Sequence, residues 1–565
     1  MADSESVYDT FESKWESKYP KGVKRELHIP EISLYEVLEN AVKTVPKGQA
    51  IDFIGKKFTF KELNTEVNKL AKGLSSLGVK KSDRIAVMLP NSPHYVIAFF
   101  AAMKLGCTVV NLNPLYTDFE IREKIVDSTT TTFITLDDFF PKIQKFVPSL
   151  LNKVIISKIS DYLPNFVGSI YSLSKKLKRE TVKVEETKNI FFMKNVMNND
   201  GQINKAVIDI ARDPAVIQYT GGTTGTPKGA LLTHRNLVSN TYALTEFGKE
   251  LYKNDLVVLS AIPFFHIYGL TTALLTPIYW KKKMIILPDP RDTPRVMKTI
   301  STEKNLIYPG IPTMYHSILM NKNSSKINLS NINGLLSGGA PLPQEIEIEL
   351  SQKTGGMIIE GYGLTEASPI VCATPVNRNF KKVNSVGVPF PGTRIKIVDR
   401  ETGIKEMPLN EPGELIISGP QVMLGYLNNK KETEDTIRNG WLFTGDIGFV
   451  DDEGYIHIID RKKDLIIAGG YNVYPREVEE ILLKNEKIED AAVIGVKDIH
   501  RGENVKAFIV LKKNQKMTED EVKKYCLKYL AVFKVPRIVQ FTDSIPKTVV
   551  GKILRRELRE DKGNN

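Results

Sequence analysis

Phe60, Leu63, Val67, Leu70, Ala71 and Leu74 recur at helical spacing, so residues 57–78 read as a helix entered from a short strand and stopped at Gly78. The pattern then becomes one of short apolar runs, at 85–89, 108–112, 132–136, 154–156, 257–262, 284–287, 306–311, 335–337 and 357–360, with helical patterns between them. Strands that alternate with helices form parallel sheets covered on both faces. At 565 residues the chain is too long for one core, and two such sheets are expected. From 383 to 450 the strands become short and close, with Gly and Pro at the turns, which predicts a small β-barrel or antiparallel layer.

A boundary falls at Asp460-Arg461-Lys462-Lys463-Asp464. Beyond it Val478, Ile481 and Leu482 mark one helix, Val522, Tyr525 and Leu530 another, and 491–496 and 505–511 read as strands. The fold class is therefore α/β. A large N-terminal domain (1–459) holds two parallel-rich α/β subdomains and the β-barrel-like subdomain at 383–450. A hinge at 460–464 leads to a smaller α+β C-terminal domain at 465–565.

The longest apolar stretch, 263–280, carries His266, Gly269, two prolines and several threonines, and only just reaches spanning length. It reads as buried strand and helix. Residues 151–190 hold eight Lys or Arg against four Asp or Glu among apolar residues, a pattern shared by a solvated insertion and by a segment that touches a membrane surface.

Composition narrows the function classes. Apolar content of 42% and charged content of 25% are those of a soluble globular protein. The net charge of +12 is spread out with acidic residues interleaved, as in Lys-Glu-Thr-Glu-Asp at 431–435, and no basic face with aromatic stacking residues stands out for nucleic acid. Three distant cysteines argue against a disulfide framework, and seven scattered histidines show no zinc spacing. Residues 1–20 lack an apolar core for export, so a cytoplasmic protein is expected, with peripheral membrane contact through 151–190 and a homodimer both left open.

The candidate chemistry begins at 219–229, Tyr-Thr-Gly-Gly-Thr-Thr-Gly-Thr-Pro-Lys-Gly. An apolar, β-prone segment runs into it. Gly221, Gly222 and Gly225 let the backbone bend and approach a ligand. Thr220, Thr223, Thr224 and Thr226 add hydroxyls and Lys228 a cation, a set suited to polyphosphate. A Walker A loop is excluded, because Pro227 precedes Lys228 and Gly229 follows it. Pro263-Phe264-Phe265-His266-Ile267-Tyr268-Gly269 places one His amid apolar residues. Ser337-Gly338-Gly339-Ala340-Pro341 and Glu360-Gly361-Tyr362-Gly363-Leu364-Thr365-Glu366 end two predicted strands. Tyr362 offers a stacking face, and Thr365 and Glu366 offer hard oxygen ligands. Further on stand Gly440-Trp441-Leu442-Phe443-Thr444-Gly445-Asp446, then Gly469-Gly470-Tyr471-Asn472-Val473-Tyr474-Pro475. Last comes Pro546-Lys547-Thr548-Val549-Val550-Gly551-Lys552-Ile553-Leu554-Arg555-Arg556.

In this order the motifs resemble those of the acyl-adenylate-forming superfamily of acyl-CoA synthetases, adenylation domains and luciferases. The resemblance covers about residues 30–560. It is nearest to the bacterial-type long-chain fatty acyl-CoA ligases, on Asn113-Pro114-Leu115-Tyr116-Thr117, Gly419-Pro420-Gln421-Val422-Met423-Leu424-Gly425-Tyr426 and the 460–464 motif. One departure is Gly222, which stands where the family usually has Ser. The resemblance implies that a fatty acid attacks the α-phosphorus of ATP, pyrophosphate leaves, and CoA then takes the acyl group from the adenylate. It assigns Thr220, Gly221, Gly222, Thr223, Thr224, Gly225, Thr226 and Lys228 to the ATP phosphates. Gly338, Gly339, Ala340, Pro341, Glu360, Gly361, Tyr362, Gly363 and Thr365 go to AMP, and Asp446 and Arg461 to its ribose. Lys552, His266 and Glu366 are the implied catalytic residues, Thr223 and Glu366 the implied Mg²⁺ ligands, and Lys463 the hinge. Gly469, Gly470 and Tyr471 are implied in the CoA step. An aryl or coumarate-type ligase, or a short-chain acid ligase, shares every motif. An amino-acid adenylation domain is disfavoured, since 262–276 contains no Asp or Glu for a substrate ammonium and no carrier domain follows Asn565. A basic, non-enzymatic binding protein would leave Glu366, Asp446 and Lys552 unexplained.

Overall fold

The computed structural model describes residues 8, 11–164, 168, 182–220, 227–251, 255–468, 471–498, 502–548 and 551–560. The opening helix is Phe60–Ser76, preceded by the strand Lys56–Thr59. Thr59 and Glu62 form a reciprocal capping box at its start, and the predicted apolar stripe is its buried face.

Two large sheets carry the body. In the eight-stranded sheet the order is Gly425–Tyr426, Lys228–Thr233, Pro214–Thr220, Thr108–Asn111, Arg84–Met88, Thr132–Leu136, Lys153–Ser157 and Ile190–Phe192. The joints on either side of Lys228–Thr233 are antiparallel and the rest are parallel. In the nine-stranded sheet, Met357–Gly363, Ile332–Ser337, Leu306–Gly310, Val257–Ser260, Lys283–Ile286 and Gln49–Phe53 run parallel, with antiparallel strands at both edges. Thr132–Leu136 and Leu306–Gly310 are buried at every position, which is why they read as unbroken apolar runs. The helix Pro93–Leu105 is buried on all sides. Its Tyr95 hydroxyl lies 2.7 Å from Asn111 and 3.0 Å from the Phe264 carbonyl, tying the two sheets together.

The stretch 263–280 contains no strand. After the strand Val257–Ser260 the chain turns at 263–266 and then runs as one helical path through Ile267–Gly269, Leu270–Leu275 and Thr276–Trp280, with a π segment in the middle. Pro263 has no N–H for a ladder, and the His266 side chain accepts from the Tyr268 N–H, which starts the helix instead. Among the described residues no helix is long and apolar enough to cross a membrane. Most of the basic stretch 151–190 beyond Pro164 lies outside the described residues.

The region after 383 forms an antiparallel layer of Arg394–Val398, Gly413–Ser418, Trp441–Val450, Ile437–Arg438 and Ile456–Arg461. A separate sheet follows, ordered Tyr471–Val473, Ile466–Ala468, Gly502–Leu511 and Ile488–Asp498, with Ile538–Phe541 against Gly502–Leu511. Its core is its own: Ile466, Val478, Leu482, Val505, Ile509 and Val522 pack together under the helices Pro475–Leu483 and Glu519–Cys526.

Candidate active site

At the carboxyl ends of Ile332–Ser337 and Met357–Gly363 a cleft of about 850 Å³, open to solvent in part, descends into the body. Its mouth is polar: His266, Ser337, Gly338, Gly339, Gly361, Tyr362, Gly363, Thr365 and Lys552. Its depth is apolar, with Phe247, Leu251, Trp280, Ile307, Ile359 and Phe390 among the walls. Open parallel sheets place ligands at this edge because strands end there and loops diverge. Gly338 is fixed by space, since a Cβ there would sit 3.1 Å from the Tyr268 ring. Tyr268 in turn places its hydroxyl 2.5 Å from the Leu336 carbonyl.

Lys552 reaches the mouth from the small unit. Its turn is closed by Thr548 N–H donating to the Lys552 carbonyl at 2.8 Å and Gly551 N–H donating to Thr548 at 2.8 Å. Gly551 has φ +77°, which suits glycine, and it faces Ile311 and Thr313 of the body. The side chain as a whole is exposed, yet protein crowds the ammonium. Burial, and secondly Arg461, lower its pKa, while Asp446 and Glu366 oppose them. His266 is driven down to about 3 by burial and then by Lys552, so its imidazole is neutral.

Asp446 is buried, paired through Oδ1 with Arg461 Nε at 2.6 Å and accepting from the Tyr362 hydroxyl. Both partners come from strand ends that the register aligns, since Asp446 lies opposite Arg461. Glu366 Oε1 accepts from the Tyr426 hydroxyl at 2.8 Å. Lys228 forms an ion pair with Glu432 and lies over the Tyr426 ring at 5.4 Å. Glu360 accepts from the Leu342 N–H at 3.2 Å, and burial raises its carboxyl to about 7.

Of the sequence candidates, His266, Gly338, Gly339, Gly361, Tyr362, Gly363, Thr365 and Lys552 converge on the cavity, and Asp446 and Arg461 join them through Tyr362. Ala340 and Pro341 lie on the turn beyond the mouth. Thr220 closes back on the Lys228 carbonyl at 3.4 Å. Lys463 follows the Asp446–Arg461 pair. Tyr471 points away from the cavity walls, exposed and stacked on Phe533 at 4.6 Å. Gly221, Gly222, Thr223, Thr224, Gly225, Thr226, Gly469 and Gly470 lie outside the described residues. Sequence reasoning missed Tyr426 and Glu432. Both sat in stretches already singled out, Gly425-Tyr426 and the charged 431–435, but no local signal joined them to Glu366 and Lys228.

Comparison with known proteins settles the lineage. The profile of the family described as AMP-binding enzyme matches residues 38–427, and that of the AMP-binding enzyme C-terminal domain matches 477–552. The chain belongs to the AMP-binding enzyme family. Within that family it is 42% identical to a long-chain-fatty-acid–CoA ligase of Bacillus subtilis over 557 residues, 98% of each chain. It is 33% identical to a Dictyostelium discoideum protein named probable 4-coumarate–CoA ligase 2, over 96% of this chain and 97% of the other. The solved structure of the ATP-bound RpMatB-BxBclM chimera B3 superposes with a TM-score of 0.81 at 28% identity, covering 93% of this chain and 98% of that one.

Proposed function

We propose that the protein is an ATP-dependent fatty acid:CoA ligase acting on medium- to long-chain acids. The observation that carries this reading is the cavity itself. A deep apolar channel ends at a mouth that combines a lysine ammonium with a neutral histidine, and this suits a long alkyl chain ending in a carboxylate. The relatives named fatty acyl-CoA ligases over the full length support the same class.

A carboxylate is a poor acyl donor because oxide is its leaving group. In the first step a carboxylate oxygen attacks the α-phosphorus of ATP and pyrophosphate departs. Lys552 stands between the incoming carboxylate and the α-phosphate, where negative charge accumulates. His266, whose Nδ1 accepts from the Tyr268 N–H, donates its Nε2–H to the carboxylate without changing charge. The Asp446–Arg461 pair holds the ribose end and the Tyr362 ring walls the base. Lys228 serves the outer phosphates. In the second step the CoA sulfur attacks the acyl carbonyl, AMP leaves, and the thiol proton passes to solvent. Lys552 has no role there. The small unit rotates about 460–464 and brings the loop that includes Tyr471 to the mouth.

Mg²⁺ fits this site. Glu366 has Oε1 fixed by Tyr426, leaving Oε2 for a cation. A single carboxylate oxygen suits an ion whose coordination is completed by nucleotide phosphates and water. When bound, Mg²⁺ would neutralise phosphate charge.

The test is AMP and pyrophosphate release with ATP, Mg²⁺ and CoA across acetate, octanoate, palmitate, oleate, benzoate and coumarate. A CoA-dependent optimum among straight-chain acids is expected. Activity confined to aromatic acids would overturn the substrate class and leave the two-step chemistry standing.

A further inference from the structure

We propose that Trp280, pinned by Thr245, is the floor of the acyl channel and sets the longest fatty acid accepted, with a preferred length near sixteen carbons. The inference rests on the reading of the cavity as the acyl site. His266 at the mouth and Trp280 both line the cavity, and the chain between them is one helical path. At about 1.5 Å per residue, and less through the π segment, that path places the indole at most roughly 20 Å below the imidazole. The neighbouring strands agree in direction. Ile307 lines the same cavity and lies three positions before Gly310, which pairs with Ser337 at the mouth, a descent of about 10 Å before the indole is reached. An extended alkyl chain with C–C bonds of about 1.5 Å advances roughly 1.25 Å per carbon. About sixteen carbons therefore span the distance.

The floor is held rather than loosely packed. The indole Nε1–H donates to Thr245 Oγ1 at 2.7 Å, and Thr245 Oγ1 donates to the Thr241 carbonyl at 2.9 Å. Both threonines belong to the helix His234–Phe247, whose Leu244 and Phe247 also line the cavity. With its polar edge satisfied on that side, the indole can turn an apolar face to the channel. Trp280 is half-buried and the next residue, Lys281, is exposed. Below the limit each added CH₂ is worth about fourfold in affinity. Beyond it the chain must dislodge a hydrogen-bonded ring in a packed wall.

The experiment is the chain-length profile of kcat/KM, from octanoate to docosanoate, for the wild type, Trp280→Ala, Trp280→Phe and Thr245→Val. The wild type should rise toward palmitate and fall at least tenfold by docosanoate. Trp280→Ala should move the upper limit out by roughly two to four carbons, because the vacated space joins the channel. Trp280→Phe should move it less, and Thr245→Val should blunt the cut-off by freeing the ring. Octanoate, too short to reach the floor, should change less than docosanoate does in every variant. An unchanged limit in Trp280→Phe and Trp280→Ala, or an equal loss at every length, overturns the proposal while leaving the acyl reading intact. Wild-type failure on every straight-chain acid would overturn the acyl reading and this inference with it.

Discussion

At the scale of single residues, the site sets charge against burial. Among the described residues Lys552 is the one lysine or arginine that lines the cavity, and removing such a fixed charge or donor from an active site typically costs about a hundred- to a thousandfold in rate. Lys552→Ala should therefore lose adenylation by that order, yet keep thioester formation from supplied acyl-adenylate; a matched loss in both halves would remove its assigned role. His266 is neutral because burial and Lys552 hold its pKa at about 3. A depressed histidine leaves the folded state uncharged while the unfolded chain takes a proton below about 6.5, so its contribution to stability is present above that pH and is lost as pH falls toward 3. Between pH 6 and 9 it does not titrate. Profiles of kcat/KM against pH for the wild type and His266→Gln should have the same shape there, and an inflection near 6.5 that vanishes in the variant would refute the neutral assignment. Glu432 holds Lys228 by an ion pair on a partly exposed side chain. Glu432→Gln should lower the KM for ATP about two- to fivefold with kcat nearly unchanged, since a competing anion leaves a pair of modest strength.

At the scale of elements, the turn that carries Lys552 is braced from behind. Arg555 forks onto Glu479 at 2.7 and 2.8 Å, and Arg559 meets Asp464 at 2.9 Å, so the end of the chain is fastened to the helix Pro475–Leu483 and to the residue after Lys463. Arg555→Ala strands a buried Glu479, which by precedent costs about 3–5 kcal/mol. Urea unfolding of the small unit should show that loss, and adenylation should fall with it. Much at this scale was legible in advance. The stripe from Phe60 to Leu74 and the apolar runs at 132–136 and 306–311 carry their own periodicity, and those elements formed. Of the strand and helix expected in 263–280 the helix formed, with a π segment that has no local signature, while the strand ended at Ser260, before Pro263. Tyr426 and Glu366 lie 60 positions apart, and Glu432 and Lys228 lie 204 apart; pairings of that kind depend on the finished topology.

At the scale of the molecule, the proposed mechanism asks for a different face of the small unit in each half-reaction. Lys552 occupies the mouth here, while Tyr471 is 59% exposed. Rotation about 460–464 requires backbone freedom at Lys463. Lys463→Pro fixes φ near −65° and should leave burst formation of acyl-adenylate intact while steady-state acyl-CoA release falls at least tenfold. Equal loss of both would place the pivot elsewhere.

Among the described residues, the walls of the deep channel belong to the body, from Leu244 to Phe390, and Lys552 alone comes from the part that follows, which has its own core. The acid-binding walls, with His266 and Glu366, thus sit on one part and the lysine on another that has a core of its own. Evolution can retune one without disturbing the other, so a lineage can acquire new diets by editing pocket walls while inheriting its catalytic tail unaltered.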